Sequence, residues 1–460
     1  MTRVLLIYPY FKPKNSRSIF RFPPLGICYV AASLLHAGHN VEILDCTFMT
    51  RKAALEQAAR ADAEVVGIYS MITMREESIL FAQHLRSRTK LLVAGGPLPS
   101  CDPTAFLDDF DVVVMGEGER TMVELVRACT TGDALTDIAG IAYRNGLSEK
   151  GNARTHHGRI VVASPRPLAA NLDDLSFPAR QLLPNDQYIQ YGREKFGYSK
   201  TTVITTRGCP FRCEFCSNAV FGVSYRERSA ANVVDEVEQV LSLGYDYIHF
   251  ADDVFTFNRE RLLDICAEIK RRGLSFAWEC LGRVDSVSRE LASAMKNAGC
   301  RRVFFGIESG NDNILKLMNK RITVSQARAA VTSAHEAGLN VGAFFIVCYP
   351  GETNETVLDT LRFASSLPLD YLSFTMPYPL PNTALHERIK ERINKSWRPP
   401  ESGFLEHICI FDADFSETKM KLAIIKGQIS FLLKRRLGQD AYVVVRPFEA
   451  ITDFLFQHVK

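Results

Sequence analysis

Short β-branched apolar runs alternate along most of the chain with stretches whose apolar residues recur every three or four positions. That is the pattern of a parallel sheet with crossover helices, an α/β architecture. Two series separate. In the first, strands are expected at 4–7, 41–44, 65–69, 91–94 and 112–115. Gly38 stands where the first helix should end, and a left-handed glycine is the commonest helix stop. Five such strands predict a small doubly wound, flavodoxin-like domain over residues 1–135, whose ligand sits at the carboxyl ends of the strands. The loops at those ends span 8–24, 70–74, 95–101 and 116–119.

A polar connecting segment follows over 136–198, punctuated by Pro165, Pro167, Pro178 and Pro184. The second series has strands at 202–206, 245–250, 276–280, 303–307, 341–347 and 371–375. Ser229 and Asn258 are placed to cap helices that Gly244 and Gly273 end; Gly299 and Gly338 end two more. Six β/α units predict a partial (β/α)6 TIM-type barrel over 199–390, since a full barrel needs eight. The appendage 391–460 contains a helix-like stretch at 417–436 and a short apolar run at 442–445.

At 460 residues the chain exceeds one ordinary domain of ~150. Its 47% hydrophobic and 23% charged residues are those of a globular protein. A formal charge of +3 with dispersed basic residues gives no footprint for nucleic acid, which leaves a small-molecule substrate as the expected partner. No run approaches the ~18 apolar residues that span a bilayer, and the apolar run at 4–8 has no cleavage site after it. No membrane association and a cytoplasmic location are therefore expected. Most of the twelve cysteines are scattered singly, such as Cys28, Cys129 and Cys300, as buried thiols in a reducing compartment would be.

Three cysteines are packed together. In GCPFRCEFC, Cys209, Cys213 and Cys216 follow directly on the first strand of the second series. Zinc is one reading, but structural zinc takes four closed ligands, usually as two separated pairs, and no fourth ligand is evident nearby. A 4Fe–4S cluster also takes four, and three protein thiolates would leave one iron open to an outside ligand.

The spacing CxxxCxxC after the first strand of a six-unit β/α chain resembles the radical S-adenosylmethionine superfamily, over about 202–386. The resemblance implies that the three cysteines hold the cluster, that the open iron chelates S-adenosylmethionine, and that one electron from an external flavodoxin- or ferredoxin-type reductant releases a 5′-deoxyadenosyl radical. It also implies roles for residues at successive strand ends. Phe215 would lie against the adenine. Asp252 and Asp253 in FADDVF would meet the methionine amino group, and Arg283 in GRVD its carboxylate. Glu308 and Ser309 in FGIESG would face ribose and methionine. Gly351 in VCYPGET would let the backbone approach the adenine. The two aspartates have an ordinary alternative, a solvated loop acid that caps the next helix, and Arg283 has another, a surface salt bridge.

The amino-terminal unit resembles the cobalamin-binding domain of a large branch of that superfamily. The matching pieces are PPLGICYVAASLLHAGHNVEILD, GIYSMIT, AGGPLPS and MGEGE. Gly95, Gly96, Gly116 and Glu117 would line the cofactor, with Ser70 and Thr73 bonding its tail; open space beside Gly95 and Gly96 is what a corrin needs. A DxHxxG histidine is absent and the related GGxHP reads Gly96-Pro97-Leu98-Pro99, so cobalt would have no histidine below it. A domain that had lost cobalamin would look the same.

The resemblance implies hydrogen abstraction from an sp3 carbon of a small-molecule, natural-product-type substrate, with methylation from methylcobalamin as the leading outcome. The alternative is radical chemistry without methylation: ring contraction, cyclisation, or dehydration of a diol in an aminoglycoside-type sugar. Glu352, Tyr378 and His386 are the candidate acid or base residues for it. A non-catalytic iron–sulfur protein is the remaining class, and the missing fourth cysteine argues against it.

Overall fold

The computed structural model describes residues 1–11, 22–145, 158–395, 409–437 and 441–458. Parts of the loop expected over 8–24, of the connecting segment and of the appendage lie outside the described residues.

The first sheet contains β1 (Arg3–Tyr8), β2 (Asn40–Asp45), β3 (Val65–Tyr69), β4 (Leu91–Gly95), β5 (Val112–Val114), β6 (Ile141–Arg144) and β7 (Ile160–Val162), in the order β2-β1-β3-β4-β5-β6-β7. The five expected strands form its parallel part. β6 and β7 come from the connecting segment and extend the sheet antiparallel. Alternation along β1 explains its unbroken apolar run. Val4 and Leu6 pack in the core under the helices Leu25–His36 and Gly118–Thr131, while Leu5 and Ile7 pack under Arg51–Arg60 and Arg75–Leu85. A strand buried on both faces has no polar side to show. Strand order reverses between β1 and β3, and the crevice of a doubly wound sheet opens at such a switch point. Tyr8 and Tyr69 end those two strands with ring centroids 5.4 Å apart.

The second sheet contains β8 (Lys200–Val203), β11 (Tyr247–Phe250), β12 (Ala277–Gly282), β13 (Cys300–Glu308), β14 (Asn340–Ile346) and β15 (Tyr371–Thr375), in the order β15-β14-β13-β12-β11-β8. All its pairs are parallel, giving six units of a barrel left open between β8 and β15. The first expected strand, 202–206, is divided. After Val203 the chain leaves the barrel, and β9 (Thr206–Arg207) pairs antiparallel with β10 (Arg226–Glu227). The cause is Asp252, fully buried, whose carboxylate accepts the backbone N–H of Thr205 at 2.6 Å and of Thr206 at 3.0 Å, and also the Thr205 hydroxyl.

The expected caps form: the Ser229 hydroxyl accepts from Asn232 N–H and the Asn258 side chain from Arg261 N–H, at 3.2 Å each. Gly244 and Gly273 follow those helices with positive φ. Within the barrel, Val303, Phe305 and Ile307 join the core beneath the helices, so Arg302, Phe304 and Gly306 face the lumen. Parallel register sets Thr202, His249, Glu279 and Arg302 abreast across four strands. The helix Glu417–Leu437 packs on β15 and on the helix Asn354–Ser366. Gly427 permits this, since a Cβ there would lie 2.4 Å from the Phe374 ring. The apolar run at 442–445 lies in the helix Ala441–His458. Among the described residues no helix is long and apolar enough to cross a membrane.

Candidate cofactor and active site

The β9–β10 ribbon closes the loop that carries the three clustered cysteines. Gly208 opens it at φ +85°, where an added Cβ would lie 2.2 Å from the Ser224 carbonyl, so only glycine fits. Cys209 N–H donates to the Gly222 carbonyl at 3.4 Å and Cys216 N–H to the Cys213 carbonyl at 3.2 Å. Desolvation raises the Cys209 thiol. Cys216 reaches solvent, yet lost hydration around its sulfur and the neighbouring Cys213 push that thiol up to about 12. Among the described residues no three His, Cys, Asp or Glu side chains gather closely enough to hold one metal ion. A mononuclear site needs each sulfur ~2.3 Å from the same ion. A 4Fe–4S cluster places each thiolate on a different iron and tolerates the wider spacing. The donor set fits a cluster.

Struts from the barrel hold this loop. The Glu214 carboxylate accepts from Arg388 Nε at 2.6 Å and Nη2 at 2.9 Å, and from the Tyr349 hydroxyl at 2.5 Å. Its N–H donates to the Met318 carbonyl at 2.9 Å. Phe215 stands edge-on to Tyr349, centroids 6.4 Å apart. Arg283, buried at the end of β12, grips both oxygens of Asp285 at 2.9–3.0 Å, donates to the Lys320 carbonyl at 3.1 Å and stacks 3.5 Å above the Phe211 ring. Asp253 is exposed within electrostatic reach of Cys209, its pKa raised by desolvation and by Asp252.

At the end of β13 a register shift between Gly306 and Glu308 coincides with φ +73° at Glu308. Such bulges re-aim side chains beside functional sites. Here the strain turns the Glu308 carboxylate back over Gly306, where a Cβ would lie 2.6 Å from Oε1. Oε1 accepts from Lys320 Nζ at 2.8 Å. Lys320 projects from a loop in which both flanking residues, Asn319 and Arg321, are left-handed. Burial disfavours its charge, but Glu308 and Cys213 keep its pKa above the ordinary lysine value. Lys320 also stands 5.8 Å from the Phe215 ring. Sequence reasoning missed it, because no local pattern marks a loop lysine that reaches a strand end through two strained residues.

Phe215, Asp253, Arg283 and Glu308 thus surround the cysteine loop. Like Arg283, which is ion-paired with Asp285, and Glu308, which is paired with Lys320, other expected residues have their polar groups engaged by the protein: Asp252 turns the chain after β8, Ser309 contacts the Thr360 hydroxyl at 3.0 Å, and Gly351 N–H donates to Asp414 at 2.9 Å. Glu352 is buried with one oxygen accepting from Tyr349 N–H at 2.8 Å; the other has no partner among the described residues, and desolvation raises the carboxyl to about 8. Tyr378 is half-buried, with its pKa raised by desolvation. His386 follows the cap Thr383 and faces Glu387 at 3.5 Å.

Two cavities lie at the carboxyl ends of the first sheet and share Gly26, Ile27 and Tyr69. One, of about 270 Å³, is apolar and runs past Gly95, Gly96 and Gly116 to Ile204, Arg207 and Phe221 beside the cysteine loop. The other, of about 560 Å³, is lined by Tyr8, Tyr10, Phe22, Met71 and Thr73 and reaches Thr202 in the barrel. A Cβ on Gly95 would meet nothing within 4 Å, whereas one on Gly96, at φ +113°, would lie 2.6 Å from the Ser70 carbonyl. The space expected beside both glycines is open at Gly95 alone. Ser70 is buried, its hydroxyl accepting from Ser78 at 3.0 Å. Glu117 pairs with Arg226 at 2.8 Å and Arg207 at 3.3 Å, and Glu119 with Arg207 at 2.5 Å. Arg207 and Arg226 are the paired residues of the β9–β10 ribbon, so these carboxylates bolt the first domain to the cysteine loop.

The profile of the Radical SAM superfamily matches residues 203–364, and that of the B12 binding domain residues 17–126. An uncharacterised methyltransferase of Pyrococcus horikoshii is 35% identical over 398 residues, covering 84% of this chain and 82% of the relative. An anaerobic magnesium-protoporphyrin IX monomethyl ester cyclase of Cereibacter sphaeroides is 27% identical over 85% of this chain and 64% of its own. Among solved structures, the cobalamin-dependent S-adenosylmethionine radical enzyme OxsB, with aqua-cobalamin and S-adenosylmethionine bound, superimposes with a TM-score of 0.75 at 17% identity, covering 99% of this chain and 72% of that one.

Proposed function

Because the chain belongs to the radical S-adenosylmethionine superfamily, in the branch that joins a B12-binding domain to the barrel, we propose that it methylates an unactivated carbon of a small molecule. It is an enzyme whose cofactors are a 4Fe–4S cluster, S-adenosylmethionine and cobalamin. When bound, these supply an electron, a hydrogen-abstracting adenosyl radical and a methyl group. Cys209, Cys213 and Cys216 hold the cluster, in the part spanning 199–390. Arg283, Glu308 and Lys320 fix the polar end of S-adenosylmethionine beside them, with Phe215 against its adenine. Residues 1–135 hold cobalamin at Gly95, Gly116 and the aromatic cavity of Tyr8 and Tyr69. The Glu117, Glu119, Arg207 and Arg226 clamp keeps that cavity facing the cysteine loop.

The observation that carries this reading is the open space at Gly95, in a cavity continuous with Ile204 and Arg207, on the segment that leads from the barrel to the cysteine loop. A radical enzyme without cobalamin needs no such opening. The test is anaerobic reconstitution with iron, sulfide and cobalamin, followed by S-adenosylmethionine and a one-electron reductant. 5′-Deoxyadenosine reports the radical step, and S-adenosylhomocysteine formed alongside it reports methylation. The cyclase relative supports a second reading, radical chemistry such as cyclisation without methylation of the substrate. 5′-Deoxyadenosine without S-adenosylhomocysteine selects it.

A further inference from the structure

Below the cysteine loop, the barrel lumen contains charged groups that the reading above does not use. Glu279, fully buried, accepts from Lys200 Nζ at 2.8 Å and faces His249 Nδ1 at 3.1 Å with one oxygen; the other accepts from the Tyr247 hydroxyl at 3.1 Å. Its pKa is lowered to about 2, the partners prevailing over burial. Arg302 lies next in the same register row. Its guanidinium comes no nearer to Glu279 than 3.8 Å, and among the described residues it donates no hydrogen bond, although its side chain is only 23% exposed and its Nε is buried. One N–H of the rigid fork, on Nε, is thus withdrawn from water with nothing to receive it, while the two Nη groups stay within reach of solvent or a ligand beside the Phe304 ring, 5.5 Å from the guanidinium carbon. Two fixed cations, Lys200 and Arg302, share one carboxylate, so this end of the lumen holds an uncompensated positive charge. The wall above Arg302 is aromatic. Phe304 stacks on Phe344 with centroids 5.6 Å apart and meets Tyr371 edge-on at 5.7 Å.

We infer that Arg302 is the anchor for an anionic group, a carboxylate or a phosphate, at one end of the substrate. The inference rests on the lumen being the substrate chamber of the proposed enzyme. A planar fork beside an excess of positive charge suits a two-oxygen anion. Six residues of strand, about 20 Å, separate Arg302 from Glu308 at the cysteine loop. The substrate is therefore elongated: its anion sits at the base of the barrel, its apolar or aromatic body lies along the half-buried Phe344 and Tyr371, which the fully buried Phe304 backs, and its reacting carbon lies toward the cysteines.

Three probes that differ only at one end test this by calorimetry on the reconstituted wild-type protein: phenylhexanoate, phenylhexyl phosphate and phenylhexanol. One or both anions are expected to bind about ten- to hundredfold more tightly than the alcohol, the worth of charge-assisted hydrogen bonds. The better of the two identifies carboxylate or phosphate. Arg302→Gln removes that preference while alcohol binding stays the same, and Arg302→Lys retains part of it. Wild-type protein that binds the alcohol as well as the anions, or that binds none of the three, overturns the inference, as does an Arg302→Gln variant that keeps the preference. Formation of 5′-deoxyadenosine by the same wild-type preparation tests the radical reading separately, so the two can fail independently.

Discussion

Lys320 Nζ lies 2.8 Å from Glu308 Oε1, both side chains about 10% exposed, at the point where β13 ends beside Cys213 and Cys216. Each charge is the other's solvation. The pair lies within a strained bulge on one side and a loop with two left-handed residues on the other.

Glu308→Gln and Lys320→Met each leave one buried charge unpaired, which typically costs ~3 to 5 kcal/mol. The double variant removes both charges and should recover most of that stability in urea melts. It should not recover S-adenosylmethionine binding, measured by equilibrium dialysis, which is expected to stay on the order of ten- to hundredfold weaker. Recovery of binding together with stability would confine the pair to a structural role.

Replacement of Cys209, Cys213 and Cys216 together by alanine should abolish bound iron and the cluster absorbance after anaerobic reconstitution. The thermal midpoint should move little, because the ribbon and the Glu214 struts hold the loop without the thiols. Retained iron would place the cluster elsewhere.

The two neighbouring glycines separate cofactor space from backbone strain. Gly95→Leu puts a side chain into the open cavity and should cut corrin absorbance in protein produced with cobalamin, at nearly unchanged stability. Gly96→Ala meets the Ser70 carbonyl at φ +113° and should lower stability by ~1 to 3 kcal/mol, the usual cost of such backbone strain. Normal cobalamin content in Gly95→Leu would move the corrin away from β4.

Two buried carboxyls give stability opposite dependences on pH. Glu352 has its folded pKa raised from 4.5 to about 8, so the folded state binds more protons between those values. Its contribution is therefore full below about pH 4.5 and is lost as pH rises toward 8. Glu279 is lowered from 4.5 to about 2; its contribution is full above about 4.5 and is lost as pH falls through 2. Glu352→Gln should flatten the alkaline limb of a stability profile and leave the acid limb in place. An unchanged alkaline limb would show that Glu352 ionises freely in the fold.

The strands and their order of use were readable because β1, β3 and β4 are buried on both faces and so consist of unbroken apolar residues. The caps at Ser229 and Asn258 were readable because capping is local. β6 and β7 were not: three or four residues each in a segment full of proline, they become strands only by pairing with β5, and nothing nearby in sequence reports that. At the site, the cysteines announce themselves by spacing, and Arg283 and Glu308 by standing at strand ends. Asp252 also stands at a strand end, yet burial commits it to Thr205 and Thr206, which sequence cannot reveal. Lys320 and Arg302 owe their importance to what surrounds them in space.

The clamp of Glu117 and Glu119 on Arg207 and Arg226 also limits how such proteins can be recombined. The two arginines sit on the ribbon that presents the cysteines, and their partners open a helix of the other domain. A chimera that imports residues 1–135 from a relative without matching acids would leave the buried Arg207 guanidinium without its carboxylates and remove the ion pair of Arg226 next to the cysteine loop. The modules must be exchanged together with their shared charges, so the seam between them is inherited as a unit.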